Sequence, residues 1–402
     1  MSGNLVRARR PGQSRLDHSG NRRINAYRRN RDPGRSHRCK LSSRCDRKGR
    51  PVRLAEAAVR SFARHETFHP RYGWFRKAYA VAAADPYAFG REDAPVVIGV
   101  GKNMVRAIRF WGLAAKLIVE DPHSPNRRAP QFVPTRRGHA LFGDQGWDPY
   151  MEDPGTLWLL HWLLLAPPSR LPVWWLAFNE FNAVEFSDAD LAEAVSAQLD
   201  AVADWTPPHE SSVKKDLGAL LRTYAPAEHS RRGSIDDLLD CPLRELNLLG
   251  RSPATGLNRF TLGPKPTLPP AIVAYAVLDH IDRTGSGGRT VTLGRLTHEP
   301  GTPGRAFKLN ETELLAALKP AVDRTDGLSL ATPAGAWQLV CIGDPSEIAT
   351  AVLDRYYGSP SSAISAGCVG DAAVDDNLLE DLGAGRNSRD SLRSLNALAG
   401  VA

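Results

Sequence analysis

Few cysteines and no long apolar run narrow what this chain can be. Five cysteines, an odd number, are scattered over 402 residues, which excludes a disulfide framework. Cys39 and Cys45 lie close together, but no second Cys or His pair follows at zinc-finger spacing, so no metal site is expected there. No apolar segment reaches the roughly 20 residues of a membrane helix. The most apolar stretch, Leu157 to Leu165 and on to Trp174-Trp175-Leu176, is broken by Pro167-Pro168 and Pro172 and reads as buried core. No apolar region of secretory type stands near the N-terminus, so a cytoplasmic location without membrane contact is the expectation. With 42% hydrophobic residues there is enough apolar chain for two to four domains with real cores.

The body also lacks an excess of positive charge, although the whole chain carries a formal +8. Residues 1–53 hold 17 of the 52 Lys+Arg and 3 of the 44 Asp+Glu, a net of +14. The remaining 35 basic and 41 acidic residues leave the body at −6. Any case for nucleic acid must therefore rest on local basic faces. The arm is rich in Arg, Ser and Gly, poor in aliphatics, and cannot bury a core. Two readings stay open for it: a disordered phosphate-binding arm, or a start placed too early, with a true start near Val52. Residues 359–402, rich in Ser, Gly, Asp and Asn, read as a disordered tail.

Between arm and tail the pattern is mainly α. Residues 54–150 read as a winged helix-turn-helix domain. A helix is expected over Tyr72–Ala84, a short one over Arg91–Ile98, a turn at Gly99-Val100-Gly101, and a third helix running to Ile118. The segment Gln131–Phe142, with its P-T-x-x-G-x-x-L pattern, then reads as the wing strand and turn. Residues 151–258 read as a helical middle domain, with helices over Thr156–Leu165, Pro172–Phe181, Ser187–Leu199, Ser212–Tyr224 and Ser234–Leu249. Residues 259–358 read as a second winged-helix-like domain, with helices over Pro269–Arg283, Thr292–Leu296 and Ala306–Leu318. A loop at Ser286-Gly287-Gly288, a turn at Pro303-Gly304 and a hairpin over Leu328–Cys341 complete it. The fold class expected is thus α+β winged units at both ends of the body, joined by a helical middle.

The third helix of the first unit carries the functional expectation. Met104, Ile108, Trp111, Ala115 and Ile118 recur at helical spacing on one side, with Lys102, Arg106, Arg109 and Lys116 roughly opposite. A helix that packs on a core while pressing into DNA needs that division. The expected DNA-binding residues are Lys102, Asn103, Arg106, Arg109 and Lys116, with Arg136 and Arg137 on the wing and Arg305 and Lys308 flanking the corresponding helix of the second unit. The bland alternative is a solvated surface helix. Gly99-Val100-Gly101-Lys102 lacks the earlier Gly and the following Ser/Thr of a P-loop, but a glycine turn before a helix N-terminus suits a phosphate contact.

Other motifs lead away from chemistry. His65-Glu66-Thr67-Phe68-His69 matches H-E-x-x-H, but Pro70 pushes His69 out of helical backbone and reads against a zincin. Glu92-Asp93 and Glu180/Glu185 have no nuclease spacing and read as caps or solvated faces. Tyr72 and Tyr79 have no support as nucleophiles. Trp158, Trp162, Trp174 and Trp175 read as core, because few cations interleave them. No catalytic residue is assigned and no metal ligand is expected.

Several segments together carry a family resemblance: His65–Phe68 with Arg71–Lys77, Arg91–Pro95, Gly99–Val105 and Ile108–Trp111. Lys214–Asp216, Leu220–Tyr224, Cys241–Leu243 and Pro303–Leu309 extend it. From about His65 to Tyr357 the chain resembles the bacterial domain of unknown function 4007 family. The resemblance implies a role in DNA phosphorothioation defence, beside sulfur-transfer genes, as the nicking subunit of a single-strand, Ssp-type system. It carries over no catalytic residue. Double-stranded DNA is the expected partner, with other subunits of a sulfur-transfer modification complex. Binding is expected to need no cofactor, and nicking a divalent metal, Mg²⁺ or Mn²⁺. Two further readings remain: a DNA-binding regulator or adaptor without chemistry, and a protein-interaction scaffold built from winged helices.

Overall fold

Trp74, Phe75, Ala78, Tyr79 and Ala82 repeat at helical spacing and form the buried side of a helix over Trp74–Ala84. The structure, a computed structural model, describes residues 53–121, 124, 129–203, 205–226, 241–284 and 290–358. The expectations for the arm before residue 53, the tail after 358, the loop at Ser286-Gly287-Gly288 and the first part (residues 234–240) of a helix over Ser234–Leu249 lie outside the described residues. The described residues belong to one compact unit beginning at Asp46. They are mainly helical with three small sheets, and no described helix is long and apolar enough to cross a membrane.

The N-terminal part begins with α1 (Leu54–Ala57) and α2 (Trp74–Ala84). The short α3 (Ala94–Ile98) carries Pro95 in its first turn and ends at Gly99, whose φ of 72° is left-handed. Extended Gly101 then starts α4 (Lys102–Ala114). An added Cβ at Gly112 would stand 2.6 Å from the Ala78 Cβ, so glycine lets α4 approach α2. The third helix stops four residues before the expected Ile118. Lys116 adopts φ 59°, Leu117 N–H donates to Gly112 O and Lys116 N–H to Leu113 O, and together these close a Schellman motif. The chain then enters β1 (Ile118–Glu120), antiparallel to β2 (Phe132–Pro134).

The expected wing over Gln131–Phe142 is only partly strand. Thr135 caps a helix, α5 (Arg136–Phe142), by accepting from Gly138 N–H. The Thr135 hydroxyl donates to Lys116 O at 2.8 Å, and an added Cβ at Gly138 would lie 2.0 Å from Leu117 O. The capping threonine and this close approach settle a helix where a strand-turn was expected. Arg136 comes after the strand pair, at the start of α5, and not between β1 and β2.

The core sits in the middle. In α6 (Pro154–Leu165), every residue from Gly155 on is buried; α7 (Pro172–Asn179) is buried throughout. A helix apolar on all sides belongs inside, and the four tryptophans of these helices fill the core as expected. Around them lie α8 (Asp188–Asp200), with a Ser187/Asp190 capping box, and α9 (Glu210–Tyr224). Leu249 falls in a strand, β3 (Leu249–Arg251), paired with β4 (Asn258–Phe260), and not at a helix end. A 3₁₀ turn at Pro242–Leu246 ends in left-handed Asn247 ahead of that strand.

The C-terminal part holds α10 (Pro270–Thr284), β5 (Thr290–Thr292), α11 (Leu293–His298), α12 (Pro303–Phe307), α13 (Glu311–Val322), β6 (Leu328–Ala331), β7 (Gln338–Cys341) and α14 (Pro345–Tyr357). The sheet order is β5-β7-β6, all antiparallel, and the expected hairpin is present. The helix expected over Ala306–Leu318 is two helices. Pro303 opens α12, Lys308 at φ 56° ends it, and the Asn310 side chain caps α13.

A buried ionic cluster joins the three regions. Trp162 Nε1 on α6 donates to Asp279 Oδ2 on α10 at 2.8 Å. Arg283 Nε and Nη2 donate to the same carboxylate at 2.9 and 3.0 Å, and Arg137 of α5 approaches it to 3.9 Å. Burial alone would raise the Asp279 carboxyl, but Arg283, Arg137 and Lys116 hold it well below the usual range.

Candidate nucleic-acid interface

The nine expected DNA contacts separate into two groups. Lys102 and Asn103, the first residues of α4, are exposed, as are Arg106 one turn on and Arg136 at the start of α5. No acidic residue stands in the first turn of α4, so the positive end of the helix dipole faces outward beside Lys102. The Arg106 guanidinium reaches Glu66 at 3.5 Å. Arg109 is half-buried, its guanidinium 5.2 Å from the Phe132 ring centre. Burial, and then the charge of Arg106, lowers its pKa.

Of the other four, Lys116, Arg137 and Lys308 are buried inside the protein, which corrects the expectation for them, while Arg305 is half-buried and bonded to its own chain. Lys116 follows the end of α4, is fully buried, and its ammonium donates to Ala166 O at 2.7 Å. Arg137 is buried beside Asp279. Lys308 is buried; its Nζ donates to Phe178 O at 2.7 Å and lies 4.1 Å from the Phe260 ring centre. That burial, with Arg305 nearby, pushes its pKa down to about 7. Arg305 Nε donates to His298 O and Nη1 to Asn182. A cation engaged with a carbonyl in the core does not reach a phosphate without unfolding its surroundings.

The H-E-x-x-H segment is no helix. Glu66 and Thr67 have φ values of 51° and 69°, which costs on the order of 1 kcal/mol per residue for side chains with a Cβ. His65 is buried among Phe110, Trp111 and Trp174, and its Nε2 bonds Asp216 on α9 at 2.7 Å. Burial raises the Asp216 carboxyl against the lowering effect of His65. The segment is therefore a pinned loop between α4 and α9. Glu66 engages Arg106, and Thr67 O accepts from Arg222 Nη2 at 2.8 Å.

The acidic candidates do not converge. Asp93 is paired with Arg91, which lowers its carboxyl through a hydrogen bond. Glu185 is lowered by hydrogen bonds from Ser252 and Thr255, whereas burial raises Glu180. Tyr72 donates to Met151 O, and the Tyr79 hydroxyl bonds His139. Among the described residues no three His, Cys, Asp or Glu side chains are grouped to hold a metal. In the acid-rich turn before α6, Asp148 accepts from Glu152 N–H, Asp153 N–H and the Thr156 hydroxyl. Asp153 accepts from Gly155 N–H and the Tyr356 hydroxyl. These lone pairs meet donors, which is not the setting of a divalent ion. A cleft of about 300 Å³ between α10, α13 and α14 includes Arg324, Arg355 and Tyr356 in its walls and belongs to the C-terminal part.

Arg222, expected only as an exposed cation of its own helix, reaches the loop beside α4 through Thr67 O, and Arg244 donates to Arg222 O; neither shares a period with α4.

An exposed basic helix start after a glycine turn thus stands on a mainly helical fold whose core is a pair of helices apolar on all sides. The model of the family described as proteins of unknown function, DUF4007, matches residues 62–357, and the chain belongs to that family. Two solved structures are similar to it. One is a magnesium ion-bound crystal structure of SspB, 39% identical, with a TM-score of 0.74, covering 83% of this chain and 98% of that one. The other, also an SspB crystal structure, is 38% identical, with a TM-score of 0.73, covering 82% of this chain and 98% of that one. No curated protein matches this chain.

Proposed function

We propose that this chain is the DNA-binding component of a bacterial phosphorothioation defence system, acting with other subunits of a sulfur-transfer complex. The observation that carries the reading is the start of α4, where Lys102, Asn103 and Arg106 stand exposed after a glycine turn with no acid in the first turn. In this reading α3, the turn and α4 form a helix-turn-helix with β1–β2 as its wing. In the C-terminal part, helix, strand, helices and hairpin follow in the order of a winged helix, with β7 between β5 and β6. The family resemblance and the likeness to SspB supply the system.

Fluorescence anisotropy on a duplex, titrated with salt, tests the binding. Each lost phosphate contact removes about 0.9 from the slope of log affinity against log salt. Lys102→Ala with Arg106→Ala is expected to weaken binding roughly tenfold or more and flatten the slope by about 2. Binding that is insensitive to both salt and this pair sinks the reading.

Strand nicking is the second reading, favoured by the magnesium ion bound in one of the two SspB crystal structures. Among the described residues no three His, Cys, Asp or Glu side chains come together around such an ion. Conversion of supercoiled plasmid to open circle with Mg²⁺ or Mn²⁺, abolished by EDTA, distinguishes a nickase from an adaptor. A closed plasmid under all conditions leaves the adaptor.

A further inference from the structure

The pinned loop joins two basic surfaces from opposite parts of the chain. On one side stand Arg106 and Arg109 of α4, with exposed Arg64 close enough for its charge to act on Arg109. On the other stands Arg222 at the end of α9, bonded to Thr67 O. Arg222 in turn lies beside Arg244, whose Nε donates to Arg222 O at 2.9 Å. The Arg222 Nη1 would be 3.4 Å from a Cβ at Gly218, so its guanidinium leans back along α9 over the glycine. Lys215, exposed, lies one turn before Gly218 on that face. The contacts at Glu66 and Thr67 are adjacent in the chain, so the two basic groups meet at one dipeptide.

From this juxtaposition we infer a continuous phosphate track: the DNA surface does not end at α4 but crosses the loop at residues 64–67 and continues along Lys215, Arg222 and Arg244. Its ligand is the sugar-phosphate backbone of duplex lying outside the segment gripped by α4. The inference rests on the DNA-binding reading above. Two features favour duplex backbone over bases. The cations come from three separate elements, as phosphate contacts do. Among the described residues, no exposed aromatic side chain lies between them to stack on a base. Glu66 is the carboxylate within the track. Its contact with Arg106 competes with a phosphate, so it sets a threshold for binding, and the strained backbone at Glu66 and Thr67 holds it there.

The test compares a duplex of about 12 bp, little more than one helical turn, with one of about 30 bp, by anisotropy against salt. Lys215→Ala, Arg222→Ala and Arg244→Ala together are expected to weaken binding to the long duplex roughly tenfold and flatten its salt slope by about 2 to 3. Binding to the short duplex stays within about twofold of wild type. Because Arg222 also supports Thr67, Lys215→Glu is run beside the triple variant; it touches no loop contact and must weaken the long duplex selectively as well. Glu66→Gln must raise affinity for both duplexes. Equal affinities and slopes for wild type, the triple variant and Lys215→Glu on the long duplex overturn the track while leaving α4 binding intact. Absence of salt-sensitive binding by wild type overturns the underlying reading and the track with it.

Discussion

The two ends of the body share a plan and differ in sign. Each has a long helix, a short helix, a further helix and an antiparallel strand pair. The N-terminal α4 opens with Lys102 and Asn103 and has no acid in its first turn. The C-terminal α13 opens with a capping box in which Asn310 accepts from Glu313 N–H and Glu313 accepts from Asn310 N–H, with Glu311 in the same turn. A carboxylate thus occupies the helix start that a phosphate would need. Of the flanking cations of the C-terminal part, Lys308 turns inward to Phe178 O, and Arg305 is half-buried with its guanidinium on His298 O and Asn182. The C-terminal part adds β5 and a second short helix to that order, and one helix start is open while the other is closed by carboxylates, so topology alone does not locate a nucleic-acid surface.

The largest effect belongs to the buried cluster around Asp279, where α5, α6 and α10 meet. Asp279→Ala leaves Lys116, Arg137 and Arg283 without their shared carboxylate and is expected to cost about 3–5 kcal/mol. Urea unfolding measures it, and a loss below about 1 kcal/mol shows that α5, α6 and α10 are held together by apolar packing instead. Next come the two crowded glycines, Gly138 in the N-terminal part and Gly304 in the C-terminal part. An added Cβ meets Leu117 O at 2.0 Å at Gly138 and the Thr297 Cα at 2.5 Å at Gly304. Each Gly→Ala change should cost about 1–3 kcal/mol, or more where backbone must shift, read as a lowered Tm. Unchanged melting of either variant contradicts that close packing.

Lys308 makes the stability of the protein sensitive to pH. Its pKa is about 7 when folded against 10.5 as a free side chain. Between those values the unfolded chain binds more protons, so stability rises with pH, at up to about 1.4 kcal/mol per pH unit from this group. Lys308→Met should flatten the rise between about pH 7 and 9, measured by denaturant midpoints; an unaltered slope removes Lys308 as its source. His161 acts the same way at lower pH. It is held near 4 by burial, and its contribution is lost as pH falls from 6.5 toward 4. The smallest effect probes the contrast itself. Glu311→Gln with Glu313→Gln should cost about 1 kcal/mol through the weakened cap and helix dipole, with DNA affinity unchanged. A gain in affinity would mean that α13 also meets DNA.

Periodic helices and their caps are legible in the sequence. The Ser187 capping box, the α2 pattern and the all-apolar α6 follow from local spacing alone. The wing expectation fails at Arg136 and Arg137 because the preceding Thr135 caps, and a cap decides for a helix. Lys116, Arg137 and Lys308 cannot be placed from local pattern, since their partners are Ala166 O, Asp279 and Phe178 O, at least 50 residues away in the chain. The exposed start of α4 is legible. Its continuation over Arg222 is not, because it depends on two left-handed residues that no spacing rule signals.

The two buried lysines have a chemical consequence. Lys116 and Lys308 both take the left-handed position after a helix that glycine usually holds, and both send their ammonium to a carbonyl at the end of a core helix, α6 or α7. In the native protein they are shielded from acylating reagents, whereas Lys102 and Lys215 lie open. Under brief acetic anhydride treatment, mass spectrometry should find the open pair modified first. The rate at which Lys116 and Lys308 follow would clock how often each end of the core breathes.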